Sequence, residues 1–167
     1  MKRLNSRGSA MIETAMMMPL LVLLLVGMTE LARITYTYYT LQKTMYTLAR
    51  YLSTQQGVNF CDDADSAIVA AKSFAINGTT DGSAQSTLAN LTSDMIHVRI
   101  EKYDPSTQEV SECECSITGC DTGAGGGPPS FVVVTIPDGY SIRPAIPYLV
   151  SESILFKPHV RVPFGGA

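Results

Sequence analysis

Apolar positions along this chain fall into three successive patterns. Residues 9–29, SAMIETAMMMPLLVLLLVGMT, form a 21-residue stretch in which Glu13 is the only charge. At about 1.5 Å per residue it matches the ~30 Å hydrocarbon layer of a bilayer, which makes it a membrane-helix candidate. The second pattern is a stripe. Leu31, Ile34, Tyr38, Leu41, Met45, Leu48 and Leu52 recur at alternating spacings of three and four, the mark of one buried seam on a helix. Traced backwards, the same register meets Gly27, Leu24, Leu20, Met17 and Glu13. Glu13 therefore falls on the face that would meet neighbouring helices. Pro19 is the only breaker before Gly57, and its missing N–H and ring clash should loosen the turn before it. One helix from about Ser9 to about Ser53 is expected, on the order of 68 Å long. Tyr36, Tyr38 and Tyr39 follow the apolar run, either as an interfacial anchor or with Tyr38 packed inward and the other two on the surface.

The third pattern, after Gly57, is short and mixed. A second helix is expected near residues 64–76, with aspartates at its start and Gly78 as its stop. Ile96, Val98 and Ile100 alternate with His97, Arg99 and Glu101, predicting a strand with one wet face. A turn at DPSTQ then leads into a return strand. FVVVTI at 131–136 is apolar on both faces, as a central strand sandwiched between layers would be. The tail carries Pro144, Pro147, Pro158 and Pro163, which favour irregular or edge segments, with SILF and HVRV able to form short strands. The fold class is α+β: a long N-terminal membrane-spanning helix packed on a small antiparallel sheet. The organisation follows as a basic leader (1–8), a transmembrane half (9–29) and an amphipathic half (30–56) of one helix, then a head (57–167).

Composition sharpens this picture. Only 16% of the 167 residues are charged, against roughly 25% in average soluble domains. Length and composition fit a single small folded unit with an unusually apolar segment, and fit poorly with multidomain enzymes or polytopic transporters. The charge is divided unevenly, +4 over residues 1–56 and −7 over residues 57–167. Lys2, Arg3 and Arg7 immediately precede the apolar stretch, which places the N-terminus on the cytoplasmic side by the positive-inside rule. The acidic head then faces outward, and a net charge of −3 argues against nucleic acid as a partner. A cleaved secretory signal is the competing reading of the N-terminus. Against it, no A-x-A-like site follows, since cutting after Ala32 would put Glu30 at the minus-three position, and the helical pattern continues past that point.

Candidate chemistry is sparse. Cys61, Cys113, Cys115 and Cys120 all lie in the head, where an even count in an oxidising compartment reads as two disulfides. With one residue between them, Cys113 and Cys115 are poorly placed to bond one another. That leaves Cys61 joined to one of that pair or, less simply, to Cys120. A zinc site or a C-x-C redox pair is the alternative, although the spacing C-x-C-x4-C suits neither. DTGAGGGPPS lacks the GK[ST] ending of a phosphate loop and reads as a flexible connection. His97 and His159 are isolated in sequence and no catalytic constellation can be assembled around them, so no catalytic residue, cofactor or metal is assigned. Asn77-Gly-Thr79 and Asn90-Leu-Thr92 match the glycosylation pattern and are read as idle.

One block of residues resembles a known family. RGSAMIETAMMMPLLVLLLVGMTELARITYTYYTLQ is similar to the start of TadE-like pilus assembly proteins, minor pseudopilins of tight-adherence (Tad, type IVc) systems. The likeness rests on a basic leader ending in Gly8, a carboxylate at Glu13, Pro19 within the apolar run, and Gly27-x-x-Glu30-Leu31-x-Arg33 leading into a Tyr-bearing helix. Thr14 departs from it, where the family and its pilin relatives tend to carry an aromatic residue. The resemblance implies a pilin-like arrangement and cleavage by a prepilin peptidase between Gly8 and Ser9. It further implies assembly with other Tad pilins and minor pseudopilins on an inner-membrane platform. Localisation would be the bacterial inner membrane, single-pass with a periplasmic head, and at the cell surface if the subunit enters the pilus.

Glu13 acquires a role in that setting. A carboxylate in a lipid-facing helix costs ~2.5–3.5 kcal/mol near the bilayer centre, so it persists with a partner. Cleavage would supply one in the α-ammonium of Ser9, its own or an adjacent subunit's; the competing reading is that Glu13 lies shallow and snorkels to the interface. Glu30, at the opposite edge, is read as an interface residue that pairs with Arg33 or with the equivalents of Arg50 on neighbouring subunits, and i to i+3 pairing with Arg33 is enough to explain it. The leading expectation is a non-enzymatic pseudopilin used in pilus initiation and hence adhesion, with Leu24 to Leu52 as the packing seam. The alternative is a membrane-anchored binding module, such as a pilus-tip adhesin or a periplasmic sensor. A thiol oxidoreductase using Cys113 and Cys115 comes third.

Overall fold

The computed structural model describes residues 6–115, 119–122, 125–145 and 152–166. The basic residues Lys2 and Arg3 and the segment around Pro147 lie outside the described residues, as do the side chains of Arg7 and Ser9. The first element, α1, runs unbroken over Ser6–Ser53 with Pro19 inside it. Its end agrees with the predicted stop, whereas its start lies three residues before Ser9. The boundary between leader and helix is thus not a boundary of secondary structure.

Where α1 ends, the fold supplies partners for its last carbonyls, which a helix leaves unsatisfied. Gly165 and Gly166 donate their amides to the Ser53 carbonyl at 2.9 and 3.0 Å. A side chain at Gly166 would stand 2.7 Å from the Gln55 carbonyl oxygen, so only glycine lets the two strands of chain approach this closely. The second helix, α2, spans Ser66–Asn77. Asp65 caps it by accepting the Ala67 amide at 2.8 Å, and Gly78, at φ 79°, closes it by donating to the Phe74 carbonyl.

Six strands follow: β1 (His97–Asp104), β2 (Glu109–Glu112), β3 (Phe131–Thr135), β4 (Tyr140–Ile142), β5 (Ile154–Phe156) and β6 (His159–Pro163). Four form an antiparallel sheet in the order β2-β1-β3-β6, and β4 pairs with β5 separately. The hairpin turn between β1 and β2 is fixed by Asp104, whose carboxylate accepts the Ser106 amide and hydroxyl at 2.8 and 2.6 Å. The Ser106 hydroxyl and then its amide hold the Asp104 carboxyl below the usual carboxylate range.

The inner face of this sheet lies on the second half of α1. Leu41, Met45, Leu48 and Leu52 are fully buried with Val132, Val134, Ile100 and Ile68 in one cluster. Each such side chain contributes roughly 1.5–3 kcal/mol by burial, which is what holds an amphipathic half-helix in place. β3 is central, as its pattern predicts, but the expected sandwich of layers is replaced by a different cover. On the outer face Val133 is 2% exposed, and its cross-strand neighbours are Arg99 on β1 and Arg161 on β6. Arg99 pairs with Glu112 and Arg161 with Glu101, so this face carries ion pairs beside the buried valine.

Two disulfides secure the head. Cys61 bonds Cys115, tying the segment after α1 to the end of the hairpin, and Cys113 bonds Cys120. In the chain-entropy account, closures over 54 and 7 residues restrict the unfolded chain by roughly 4 and 2.5 kcal/mol respectively. The Gly-rich segment is partly built into this knot. Asp121 is fully buried and accepts the Cys61 amide at 2.9 Å, while Gly126 lies so close to Gly119 that a Cβ there would sit 2.5 Å from its carbonyl oxygen.

Candidate functional site

The site suggested by the sequence is the first half of α1, and it stands clear of the head. The helix is long and apolar enough to cross a membrane, and no residue in its most apolar 18-residue window is buried. Leu20 and Leu24 are exposed at 55% and 48%. Such a surface is unfavourable in water and compatible with lipid or with other helices. Its hydroxyls are already satisfied: Thr14 donates to the Ala10 carbonyl at 2.8 Å and Thr29 to that of Val26 at 2.9 Å. These two threonine hydroxyls thus find acceptors within the helix, as a bilayer requires.

The seam divides into two parts. Leu41, Met45, Leu48 and Leu52 are consumed by the head's own core, and Ile34 packs at its margin. Leu31, expected in the buried seam, is 65% exposed, because the sheet reaches α1 only further along the helix. Leu20 and Leu24 are likewise exposed and have no contact with the sheet to cover them. Tyr38 sets its ring 5.4 Å from that of Phe156 on β5 yet stays 39% exposed, and Tyr36 and Tyr39 are more exposed still.

Gly8 and Ser9 lie inside the first turns of α1, with open space around the Gly8 α-carbon. Glu13, one turn on, is exposed on the helix surface. A shallow apolar groove follows Ala15, Pro19, Val22, Leu23, Val26 and Gly27, where a small residue and the proline ring lower the helix surface.

The junction of helix and head contains an arrangement that the sequence only half reveals. Glu30 accepts the Arg33 guanidinium at 2.6 Å, as the i to i+3 spacing predicts. The same Glu30 oxygen also accepts the amide of Ala145 at 3.0 Å, and Arg33 donates to the Arg143 carbonyl at 2.5 Å. Two charged side chains on α1 therefore grip the backbone just after β4. No local signal announces a contact spanning 115 residues. Beside it lies a groove of about 740 Å³ of mixed character, bordered by Arg33, Asn90 and Arg143 and by Leu88, Met95 and Ile142. Tyr140 donates its hydroxyl to the Ala89 carbonyl at 2.6 Å, and burial pushes its phenol above the usual value.

The remaining candidates lie apart from this region. The sheet places His97 and His159 on one face, either side of Thr135. Among the described residues, no three His, Cys, Asp or Glu side chains gather as a metal site. Cys113 and Cys115 are bonded to different partners and no cysteine is free among the described residues, so the C-x-C pair is not the disulfide a dithiol oxidoreductase would use.

No curated protein and no solved structure matches the chain. Residues 8–57, which cover nearly all of α1 and its exit into the head, match the family described as TadE-like protein. The matched segment holds the exposed apolar helix, Glu13, Pro19 and the Glu30–Arg33 pair together. Over residues 8–57, and there alone, the chain is similar to TadE-like proteins.

Proposed function

We propose that this chain is a minor pseudopilin, non-enzymatic, that is held in the inner membrane by α1 and used to initiate or prime a Tad pilus. The observation that carries the reading is the division of one continuous helix into a half used by the head's core and a half left wholly uncovered. A helix surface of that length and polarity is stable in lipid before assembly and against other apolar helices during it. The basic residues before the span orient the N-terminus to the cytoplasm and the disulfide-bonded head to the periplasm.

In this reading a prepilin peptidase cleaves between Gly8 and Ser9. The new α-ammonium at Ser9 lies about one helical turn from Glu13, on its own chain or on an adjacent pilin. Pairing removes the cost of a charged carboxylate among apolar helices and fixes the axial register of neighbouring subunits. Other Tad pilins, minor pseudopilins and the inner-membrane assembly platform are the partners this requires.

The role of Glu13 is tested by Glu13→Val in cells that express the system. The variant is expected to insert and to lose its leader, yet to leave the surface without pili. Normal piliation would remove the proposed pairing. A second reading, a membrane-anchored binding module, is favoured by the mixed polar and apolar groove beside Arg33 and Arg143. Shearing separates the two, because a tip-located binding protein leaves with the filaments whereas an assembly-stage protein stays in the membrane.

A further inference from the structure

We infer that copies of this chain join side by side through their heads, β6 of one copy adding to β2 of the next. The inference rests on the reading above in one respect, that the membrane holds all copies in one orientation. Its basis is the topology of the main sheet. The four strands alternate in direction across the order β2-β1-β3-β6, so β2 and β6 run in opposite directions at the two edges. Among the described residues no further strand covers either edge. Two copies related by a lateral shift, with no inversion, therefore bring β6 and β2 together as an antiparallel pair. A membrane-anchored protein can make that contact without turning over.

The hydrogen-bond phase is also fixed. In antiparallel ladders, residues alternate between bonding one neighbour and bonding the other side. The Phe164 amide donates to the Ser130 carbonyl, which places Val160 and Val162 in bonding phase with β3 and leaves His159 and Arg161 with backbone groups turned outward. On the other edge the Cys113 amide donates to the Ile100 carbonyl, so Ser111 bonds inward and Val110 and Glu112 turn outward. Pro163, with no N–H, ends the usable part of β6. One register uses all four outward residues: His159 opposite Glu112 and Arg161 opposite Val110. In that register Lys157 falls opposite Glu114.

Faces and charges agree with this arrangement. His159 and Arg161 share the outer face with Arg99 and Glu101, and Val110 and Glu112 share it too, so the joined sheet keeps a single wet side. The β2 edge carries Glu109, Glu112 and Glu114, whereas the β6 edge carries Lys157 and Arg161; within one copy Glu112 also pairs with Arg99 and Arg161 with Glu101, so Lys157 and Glu114 are the opposed charges left for the contact. Like edges repel and unlike edges attract, which selects head-to-tail over two-fold pairing. A head-to-tail contact does not close on itself, so it propagates.

The test uses the full-length chain in native membrane vesicles. The double variant Val110→Cys with Arg161→Cys is treated with a short bis-maleimide. The expected result is a ladder of dimer, trimer and higher species, with neither single variant giving dimer. Dimer from a single variant, or no ladder from the double one, overturns the inference. In the same cysteine background Lys157→Glu is expected to reduce the ladder at least tenfold and the added Glu114→Lys to restore it; a loss that is not restored overturns the register. Unreactive native cysteines show that the head remains folded in each sample. A missing ladder in anchored, leader-free protein sinks the edge contact alone, whereas a chain that keeps its leader or leaves the membrane sinks the pseudopilin reading.

Discussion

Glu30 on α1 accepts the amide of Ala145 in the head at 3.0 Å while its same oxygen holds Arg33, so one carboxylate links the helix to the chain just after β4. Removing it leaves the Ala145 amide without this acceptor and Arg33 without its anion. Glu30→Ala is expected to raise amide exchange at Ala145 about fivefold, because that amide loses its acceptor. Amides of Val132 to Val134, deep in the sheet, should not respond. Exchange that rises equally in both places would show that the contact supports the whole head and does not act as a local clasp.

The two parts of the seam should behave differently on truncation. Leu48→Ala opens a cavity in the core and is expected to destabilise the head by about 2–5 kcal/mol. Leu24→Ala, on the uncovered part, should leave head unfolding unchanged and reduce pilus assembly. Thermal unfolding in detergent, paired with a count of surface pili, reads both. Equal destabilisation by the two variants would contradict the division of labour along α1.

The disulfides differ in what they constrain. Replacing Cys61 and Cys115 together by serine is expected to cost roughly 4 kcal/mol, and replacing Cys113 and Cys120 roughly 2.5 kcal/mol, because the first pair closes the longer loop. Denaturant unfolding of each double variant in the same detergent checks the order. The reverse order would show that local packing around Asp121, and not loop closure, dominates.

Tyr140 gives the head a dependence on alkaline pH. Burial raises its phenol above the ordinary tyrosine value of 10.0, so its contribution is whole below that pH and is lost as pH climbs through the raised folded value. Tyr140→Phe removes the hydroxyl's bond to Ala89 and is expected to cost about 1 kcal/mol at neutral pH. It should also flatten the alkaline limb of the stability curve. An unchanged alkaline limb would place that titration elsewhere.

Much of this fold is legible from periodicity because its elements obey single-period rules. The run from Ser9 to Ser53, the alternation of β1 and the Asp65 and Gly78 caps of α2 are local signals, and each appears near its expected place. What sequence could not give is long-range. Arg33 and Glu30 show only their own helical spacing, so their grip on Arg143 and Ala145 is invisible until the chain folds back. Leu31 keeps the seam's period yet stays exposed, because periodicity names a face and not the element that covers it. Val133 fits any buried layer, and only the register shows that its cross-strand neighbours are Arg99 and Arg161. The four cysteines left their pairing open, which the approach of the hairpin to the end of α1 decides.

The candidate site was the most legible part, and for a physical reason. A lone acid in an apolar span, a basic flank and a proline are written directly in the chain and need no tertiary contact to be seen. The outward edges of the sheet are the opposite case, since Lys157 and Glu114 gain meaning only from strand order.

The central claim is that the chain is cut between Gly8 and Ser9 to free an amine for Glu13 and its neighbours. Intact-mass measurement of the membrane-extracted protein, from cells with an active prepilin peptidase, tests it most directly. The account predicts a mass that begins at Ser9; a chain that retains residues 1–8 while pili form normally would contradict it.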